Sequence, residues 1–283
     1  MKNLFLMLLL SGVSSFVYAE QIANSSKDMV AKPESIAEAD TQNPNEEDDD
    51  LASDEESNDP LEPLNRSIYF VNSIVDAVII KPLAIAYRLV LPEEVRNGVG
   101  NALTNLGAPI TFLNHLLQGQ PSRAGTTLVR FGLNTTLGIG GLFDPAKEMG
   151  FHTLETNFNE TLGVWGVKTG PYVFLPIIGP SSFRGAVGLG AGYYTQPLNY
   201  ISRRQNNNEW IAYTVMGIEV VHQRNLVLEA LDDLEATSLD MYASLRSIYF
   251  QKQDYRLKKL KAADESPSGN EMLESSTEKE IFG

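Results

Sequence analysis

The chain has 283 residues, 36 acidic against 22 basic side chains for a formal net charge of −14, and no cysteine. The missing thiol excludes disulfides, thiolate metal sites, a cysteine nucleophile and a thioether-linked lipid anchor. The acidic balance lacks the basic footprint of a nucleic-acid-binding protein.

Residues 1–19, MKNLFLMLLLSGVSSFVYA, place Lys2 before an apolar run from Leu4 to Val13 and small residues before a break at Ala19. This pattern predicts a secretory signal peptide cleaved near Ala19. The run is shorter than the roughly 20 residues that span a bilayer, and a retained anchor is the alternative. Residues 20–59 hold 14 acids and 2 bases, with EEDDD at Glu46–Asp50 and few large apolar side chains. They predict a disordered acidic tether. The acidic run lacks the central Gly and distal Glu of a calcium-binding loop. Residues 264–283 read as a disordered polar tail, with 6 acids and 1 base. The net charge therefore sits at the ends. Residues 60–263 carry 18 Lys and Arg against 16 Asp and Glu, and about 200 residues are enough for one domain with its own core.

Within that domain Leu64, Ile68, Val71, Ile74, Val75 and Val78 recur at helical spacing, and Pro82 is expected to kink or end the helix. A second helix is expected from Pro92, with Glu93 and Glu94 at its positive end and Val95, Val99, Ala102, Leu103 and Leu106 on one side. APITFLNHLLQGQ predicts a separate short helix stopped by Gly119. Another starts at Pro121 and runs toward Asp144 through the uncharged, Gly-rich stretch Phe131–Phe143. From Thr161 to Leu198 the chain is again poor in charge, and short extended pieces and turns are expected. The stretch from Asn208 returns to helical periodicity at Leu231, Leu234, Tyr242, Leu245, Ile248 and Tyr249. The fold class expected is mainly all-α. No segment after the signal reads as a transmembrane helix, because Gly, Pro, Asn or a charge interrupts each apolar run.

No chemistry announces itself. GIGGLF and GLGAGY lack the third Gly and the Lys-Ser/Thr of phosphate loops. His115, His152 and His222 stand apart from other ligands, and His222 beside Glu219 reads as an exposed helix face. Ser181 and Ser182 in GPSSF follow Pro180 as a turn rather than a nucleophile elbow. The expectation is no catalytic residue, no metal and no cofactor. One basic cluster, Lys252, Arg256, Lys258, Lys259 and Lys261, has two readings: the solvated end of a helix, or a contact for lipid headgroups or an acidic partner. The two charge-poor regions also have two readings, a buried core or a surface facing lipid.

Five stretches carry a resemblance: DPLEPLNRSIYFVN at Asp59–Asn72, RNGVGNALTNLGAPITFLNHLLQG at Arg96–Gly119, RFGLNTTLGIGGLFDPA at Arg130–Ala146, TLGVWGVKTGPYVFLPIIGPSSFR at Thr161–Arg184 and SLRSIYFQKQDY at Ser244–Tyr255. In this order they resemble the MlaA/VacJ family. The resemblance implies a ring-shaped helical protein within the periplasmic leaflet of a Gram-negative outer membrane, bound to a trimeric porin. Such proteins remove mislocalised phospholipids from the outer leaflet and pass them to a periplasmic lipid carrier that feeds an inner-membrane ABC transporter. On that basis the lipid channel or membrane-facing surface is expected at Tyr69, Phe70, Val71, Asn72 and Ile74, at Leu137, Gly138, Gly140, Gly141 and Phe143, and at Tyr172, Phe174, Leu175, Ile177 and Ile178. The chain departs from the family in having no lipobox cysteine, so retention through leaflet insertion and porin contact is expected instead. The alternatives are a soluble periplasmic lipid-binding carrier and a porin-associated structural or virulence protein.

Overall fold

A computed structural model describes residues 59–196 and 209–262. The signal peptide, the tether up to residue 58 and the tail expected from the sequence lie outside the described residues. In chain order the elements are α1 (Glu62–Val75), a π-helical turn (Asp76–Ile80), α2 (Lys81–Val90), α3 (Glu93–Leu117), α4 (Pro121–Thr136), α5 (Pro145–Glu148), α6 (Phe158–Val164), β1 (Tyr172–Leu175), β2 (Gly179–Ser182), α7 (Phe183–Thr195), α8 (Glu209–Leu226), α9 (Leu228–Thr237) and α10 (Met241–Ala262). The mainly α class holds, with one antiparallel hairpin pairing Tyr172 with Ser182 and Leu175 with Gly179.

Prolines correct two expectations. Pro82 does not end the first helix, which runs on to Val90. A proline ring clashes with the carbonyl four residues back and supplies no N–H to it. Here the preceding turn is widened, the Lys81 N–H donating to the Asp76 carbonyl, and the chain passes Pro82 still helical. Pro109 likewise sits inside α3, so the two helices expected from Pro92 and near Ala108 are one of 25 residues. The lost hydrogen bond is offset by packing along α4, with which α3 makes the most extensive helix pair of the fold. Gly119, at φ 76°, ends α3 as expected, and Pro121 opens α4.

Glycines correct two more. Helix α4 stops at Thr136, and residues 137–143 form a bend stitched by Gly140 N–H to Thr135 O (3.0 Å) and Phe143 N–H to Gly138 O (3.0 Å). Gly141, at φ 95°, lies where a Cβ would come within 2.5 Å of the Asn105 Cβ, so the bend seats on α3 only through a residue without a side chain. Helix α7 replaces the extended pieces expected after Ser182. Its glycines cost about 1 kcal/mol each relative to Ala in a helix. Gly188, however, lets α7 approach α6 so closely that a Cβ there would meet the Asn159 backbone N at 2.6 Å.

The interior is more polar than the surface pattern of an ordinary globular domain. A core of Tyr172, Phe174, Tyr242, Tyr249 and Phe250 is packed by Ile68, Tyr69 and Leu245, with rings edge-on at centroid distances such as 5.9 Å for Tyr172 and Tyr249. Around it lies a hydrogen-bonded frame. Thr161 donates to Asn114 (2.7 Å), Gln118 donates to Thr156 (2.7 Å) and Thr161 (2.8 Å), and Arg184 donates to Asn159 (2.9 Å). Arg256, on α10, holds Glu160, on α6, at 2.7 Å with both side chains almost fully buried.

Candidate functional site

The site begins with two asparagines on α1. Asn65 donates to the Tyr172 carbonyl (3.0 Å) and accepts from the Phe174 N–H (2.8 Å). Seven residues on, and so on the same helix face, Asn72 donates to the Leu175 carbonyl (2.8 Å) and accepts from the Ile177 N–H (2.9 Å). The free edge of β1 thus finds its partners in side-chain amides rather than in a third strand. Asp59 braces the clamp, accepting from Asn65 (2.9 Å), from the Leu61 N–H (3.2 Å) and from the Tyr242 hydroxyl. At the hairpin tip Ile177 is held at φ 69°, in the left-handed region, by this double contact.

Behind the hairpin lies a cavity of about 410 Å³, enclosed by α1, the π turn, the hairpin, α7, α8, α9 and α10. Sites for small ligands commonly run from about 300 to 1,000 Å³. Its wall is largely aliphatic: Val75, Ile80, Ile177, Ile178, Leu189, Val220, Val227, Leu231, Leu245 and Ile248. Charges enter it in held positions. Arg224 grips Asp76 at 2.9 and 3.1 Å, and Lys81 reaches Asp232 at 2.8 Å, joining the π turn and α2 to α8 and α9. Such an interior can admit hydrocarbon along most of its surface and a polar group at few points. Among the described residues no three His, Asp or Glu side chains converge as a metal set.

A smaller, polar chamber of about 80 Å³ adjoins it, sharing Asn157 and Gln223 as walls and lined also by Thr104, Thr111, Glu155, Glu219, His222 and Arg256. His222 is not on an exposed face: it is buried, with Nδ1 3.1 Å from the Tyr87 hydroxyl, and burial lowers its pKa. Glu219 is buried too, and desolvation followed by the Glu155 charge holds its pKa well above the usual carboxylate range. A carboxyl whose folded pKa is raised favours folding while protonated. It loses that contribution as pH rises from the ordinary Glu range toward the folded value. Stability is therefore expected to fall over that window. Glu219→Gln should flatten the slope in thermal unfolding at stepped pH; an unchanged slope would remove Glu219 as its source.

Six of the residues expected at the site line the main cavity: Tyr69, Asn72, Phe174, Ile177, Ile178 and Lys252. Others lie elsewhere. Phe70, Val71 and Ile74 point outward, as do Leu137 and Phe143 on the bend, where Gly140 is exposed and Gly138 and Gly141 are buried. Tyr172 is fully buried among rings and faces neither lipid nor cavity, because Asn65 pins its strand against the core. Leu175 is half-buried, with its carbonyl on Asn72. The basic cluster is split. Lys252 reaches the cavity, Arg256 is buried on Glu160, Lys259 lies 6.0 Å over the Tyr255 ring, and Lys258 and Lys261 are exposed. Sequence reasoning missed Asp76, Arg224, Leu189 and Leu231. No local motif marks them, since the Asp76–Arg224 pair spans 148 residues.

The outer surface is apolar where soluble proteins are polar. Phe70, Val71, Val78, Leu83, Leu89 and Val90 are exposed along α1 and α2, and Leu137, Ile139, Leu142 and Phe143 are exposed on the bend. Residues Glu62–Val90 form a helical run long and apolar enough to cross a membrane, and only 6% of its apolar window is buried. This overturns the expectation that no such run exists. The charges at Arg66 and Asp76 turn inward to Asp240 (2.6 Å) and Arg224 (2.9 Å) and leave the outer stripe unbroken. Exposed apolar patches larger than a few hundred Å² mark protein or membrane contacts.

Comparison with known proteins agrees with this picture. The profile of a family described as MlaA lipoprotein matches residues 57–256. A protein of Escherichia coli (strain K12), "Intermembrane phospholipid transport system lipoprotein MlaA", is 36% identical over 201 residues, which cover 70% of this chain and 77% of that one. The protein of the same name in Haemophilus influenzae is 30% identical over 209 residues, 71% and 80% of the two chains. An uncharacterised protein of Rickettsia bellii is 34% identical over 197 residues, 69% and 75%. A solved structure, described as the structural basis for maintenance of bacterial outer membrane lipid asymmetry, is similar at a TM-score of 0.59 and 36% identity, covering 71% of this chain and 99% of that one.

Proposed function

The chain belongs to the MlaA lipoprotein family, and from that premise we propose that it works in intermembrane phospholipid transport, removing mislocalised phospholipids from the outer leaflet of the outer membrane and so maintaining lipid asymmetry. The observation that carries the reading is the pairing of an aliphatic cavity of about 410 Å³ with an outer face whose apolar side chains stand exposed. Hydrocarbon on the outside suits residence in a leaflet; hydrocarbon on the inside suits an acyl chain in passage. Each methylene taken from water gains about 0.8 kcal/mol, so the outer face contributes substantially to retention.

The protein sits at the periplasmic side of the outer membrane, embedded through α1, α2 and the bend at residues 137–143. It reaches that site by a signal peptide cleaved near Ala19. Its relatives are named lipoproteins, but this chain has no cysteine to acylate, so the apolar face does the anchoring, with a trimeric porin as neighbour. Lipid leaves to a periplasmic carrier that supplies an inner-membrane ABC transporter. The work is transfer without bond chemistry. The exposed apolar face favours this reading over a soluble carrier, which would need the same side chains inside.

The test is the phospholipid exposed at the cell surface with the gene deleted and with the wild-type chain restored. Exposure should rise on deletion and return to normal on restoration, and the protein should require detergent for release from the membrane fraction. Unchanged exposure with the protein present at the outer membrane would refute the transport role. Release by high salt alone would refute the anchoring.

A further inference from the structure

Within the cavity the charged side chains differ in what surrounds them. Asp76 and Arg224 hold each other, and Lys81 is bound to Asp232. Lys252 lines the cavity from α10, where β2 and α7 contribute the uncharged Ser181, Gly185, Gly188 and Leu189. Glu160, the acid acting on it from α6, is engaged by Arg256 through Nε at 2.7 Å and Nη2 at 3.1 Å. Burial, and then the Arg256 charge outweighing Glu160, bring the Lys252 ammonium down to about 7. The remaining charged groups of the lining are Arg224 on α8, Glu235 on α9, and Asp76 and Lys81 on the π turn and α2. An amine placed in an apolar chamber under a net positive field is stabilised in its charged form by an incoming anion.

We propose that Lys252 is the group on which the cavity holds the phosphodiester of a glycerophospholipid, with the acyl chains lying against the aliphatic wall. The assignment rests on the lipid-transport reading above and deepens it, since it names the polar contact that the aliphatic residues lack. An ammonium–phosphate contact is charge-assisted and strong when desolvated. It also carries a pH signature. The amine is protonated below its pKa and neutral above it, so affinity falls as pH rises. The bound phosphate shifts the midpoint upward from the value of the empty cavity.

The experiment uses the full chain in detergent micelles, with fluorescent phosphatidylglycerol and fluorescent diacylglycerol as probes and water-soluble glycerophosphoglycerol as competitor. Wild type is expected to prefer the phospholipid by on the order of tenfold at about pH 6 and to lose most of that preference by about pH 9. Lys252→Met should lose the discrimination between the two lipids, and Lys252→Arg should keep it without the pH dependence. Near-ultraviolet circular dichroism of the aromatic core checks that each variant is folded; should Lys252→Met fail that check, the pH profile of Lys252→Arg against wild type decides. A wild-type preference retained in Lys252→Met, or an unchanged pH profile in Lys252→Arg, overturns the assignment while the transport function stands. Full displacement by glycerophosphoglycerol would make the site one for free phosphodiesters and overturn the lipid assignment. A wild-type chain that binds neither lipid overturns the transport reading and the assignment together.

Discussion

Replacing Arg256 with Met is expected to cost about 3–5 kcal/mol of stability, the range for breaking a buried ion pair on one side. Arg256 and Glu160 are exposed by only 6% and 1% in their side chains and meet through two contacts, at 2.7 and 3.1 Å. Glu160 cannot turn to water when its partner leaves. It is also the third residue of α6, where it receives the Asn157 N–H at 3.3 Å while Asn157 caps the Glu160 N–H at 3.1 Å. Arg256 binds the Glu155 carbonyl as well, so the loss frees the segment leading into α6. The double variant Arg256→Met, Glu160→Gln should be more stable than Arg256→Met alone, because the uncompensated carboxylate is gone while a cap acceptor remains. Denaturant unfolding of the three chains measures both differences. A loss below about 1 kcal/mol in the single variant would mean that water reaches the pair.

Asn65→Leu is expected to be the second severe change. It removes the acceptor of the buried Phe174 N–H and the donor to the buried Tyr172 carbonyl. Each buried orphan costs about 1–3 kcal/mol, so roughly 2–5 kcal/mol should be lost although the side chain is nearly isosteric and more apolar. The near-ultraviolet signal of the ring cluster should weaken with it, since Tyr172 and Phe174 are the rings that the hairpin delivers. Asn72→Leu should cost less, because its site is half-buried and water can stand in, yet it should loosen Ile177 and Ile178 at the cavity wall. Equal losses in the two variants would show that the clamp acts as one unit rather than as two contacts of different burial.

Local rules made much of this fold legible. Pro92, Gly119 and Pro121 mark helix boundaries by chemistry that needs no distant partner, and α3 and α4 start or stop where those residues say. What escaped was decided at a distance. Gly185, Gly188, Gly190 and Gly192 argue against a helix locally, and α7 exists because Asn159, far back in the chain, packs where a Cβ would stand. Pro82 and Pro109 argue for breaks, which a widened turn and a long helix partner overcome. The stripe at Leu64, Val71, Ile74 and Val78 gave the right period but not its direction. Period alone does not say whether the apolar side faces a core or lipid, and here it faces outward. The same holds for the site. Tyr69, Asn72, Phe174, Ile177, Ile178 and Lys252 line the cavity, whereas Tyr172, in the same apolar run, alternates into the core as strand geometry requires.

The π turn at Asp76–Ile80 has a consequence for how the chain can change over time. A π turn behaves as a single residue inserted into an α-helix. Each residue of an α-helix turns the chain by about 100°. Deleting one position from this turn would restore regular winding and rotate everything beyond it by about that angle. Asp76, before the change, would still face Arg224, while Lys81 would swing off Asp232 and Tyr87 off His222. The segment therefore keeps a phase, in the way that a coding sequence keeps a frame: its side chains are open to exchange, but its length is not.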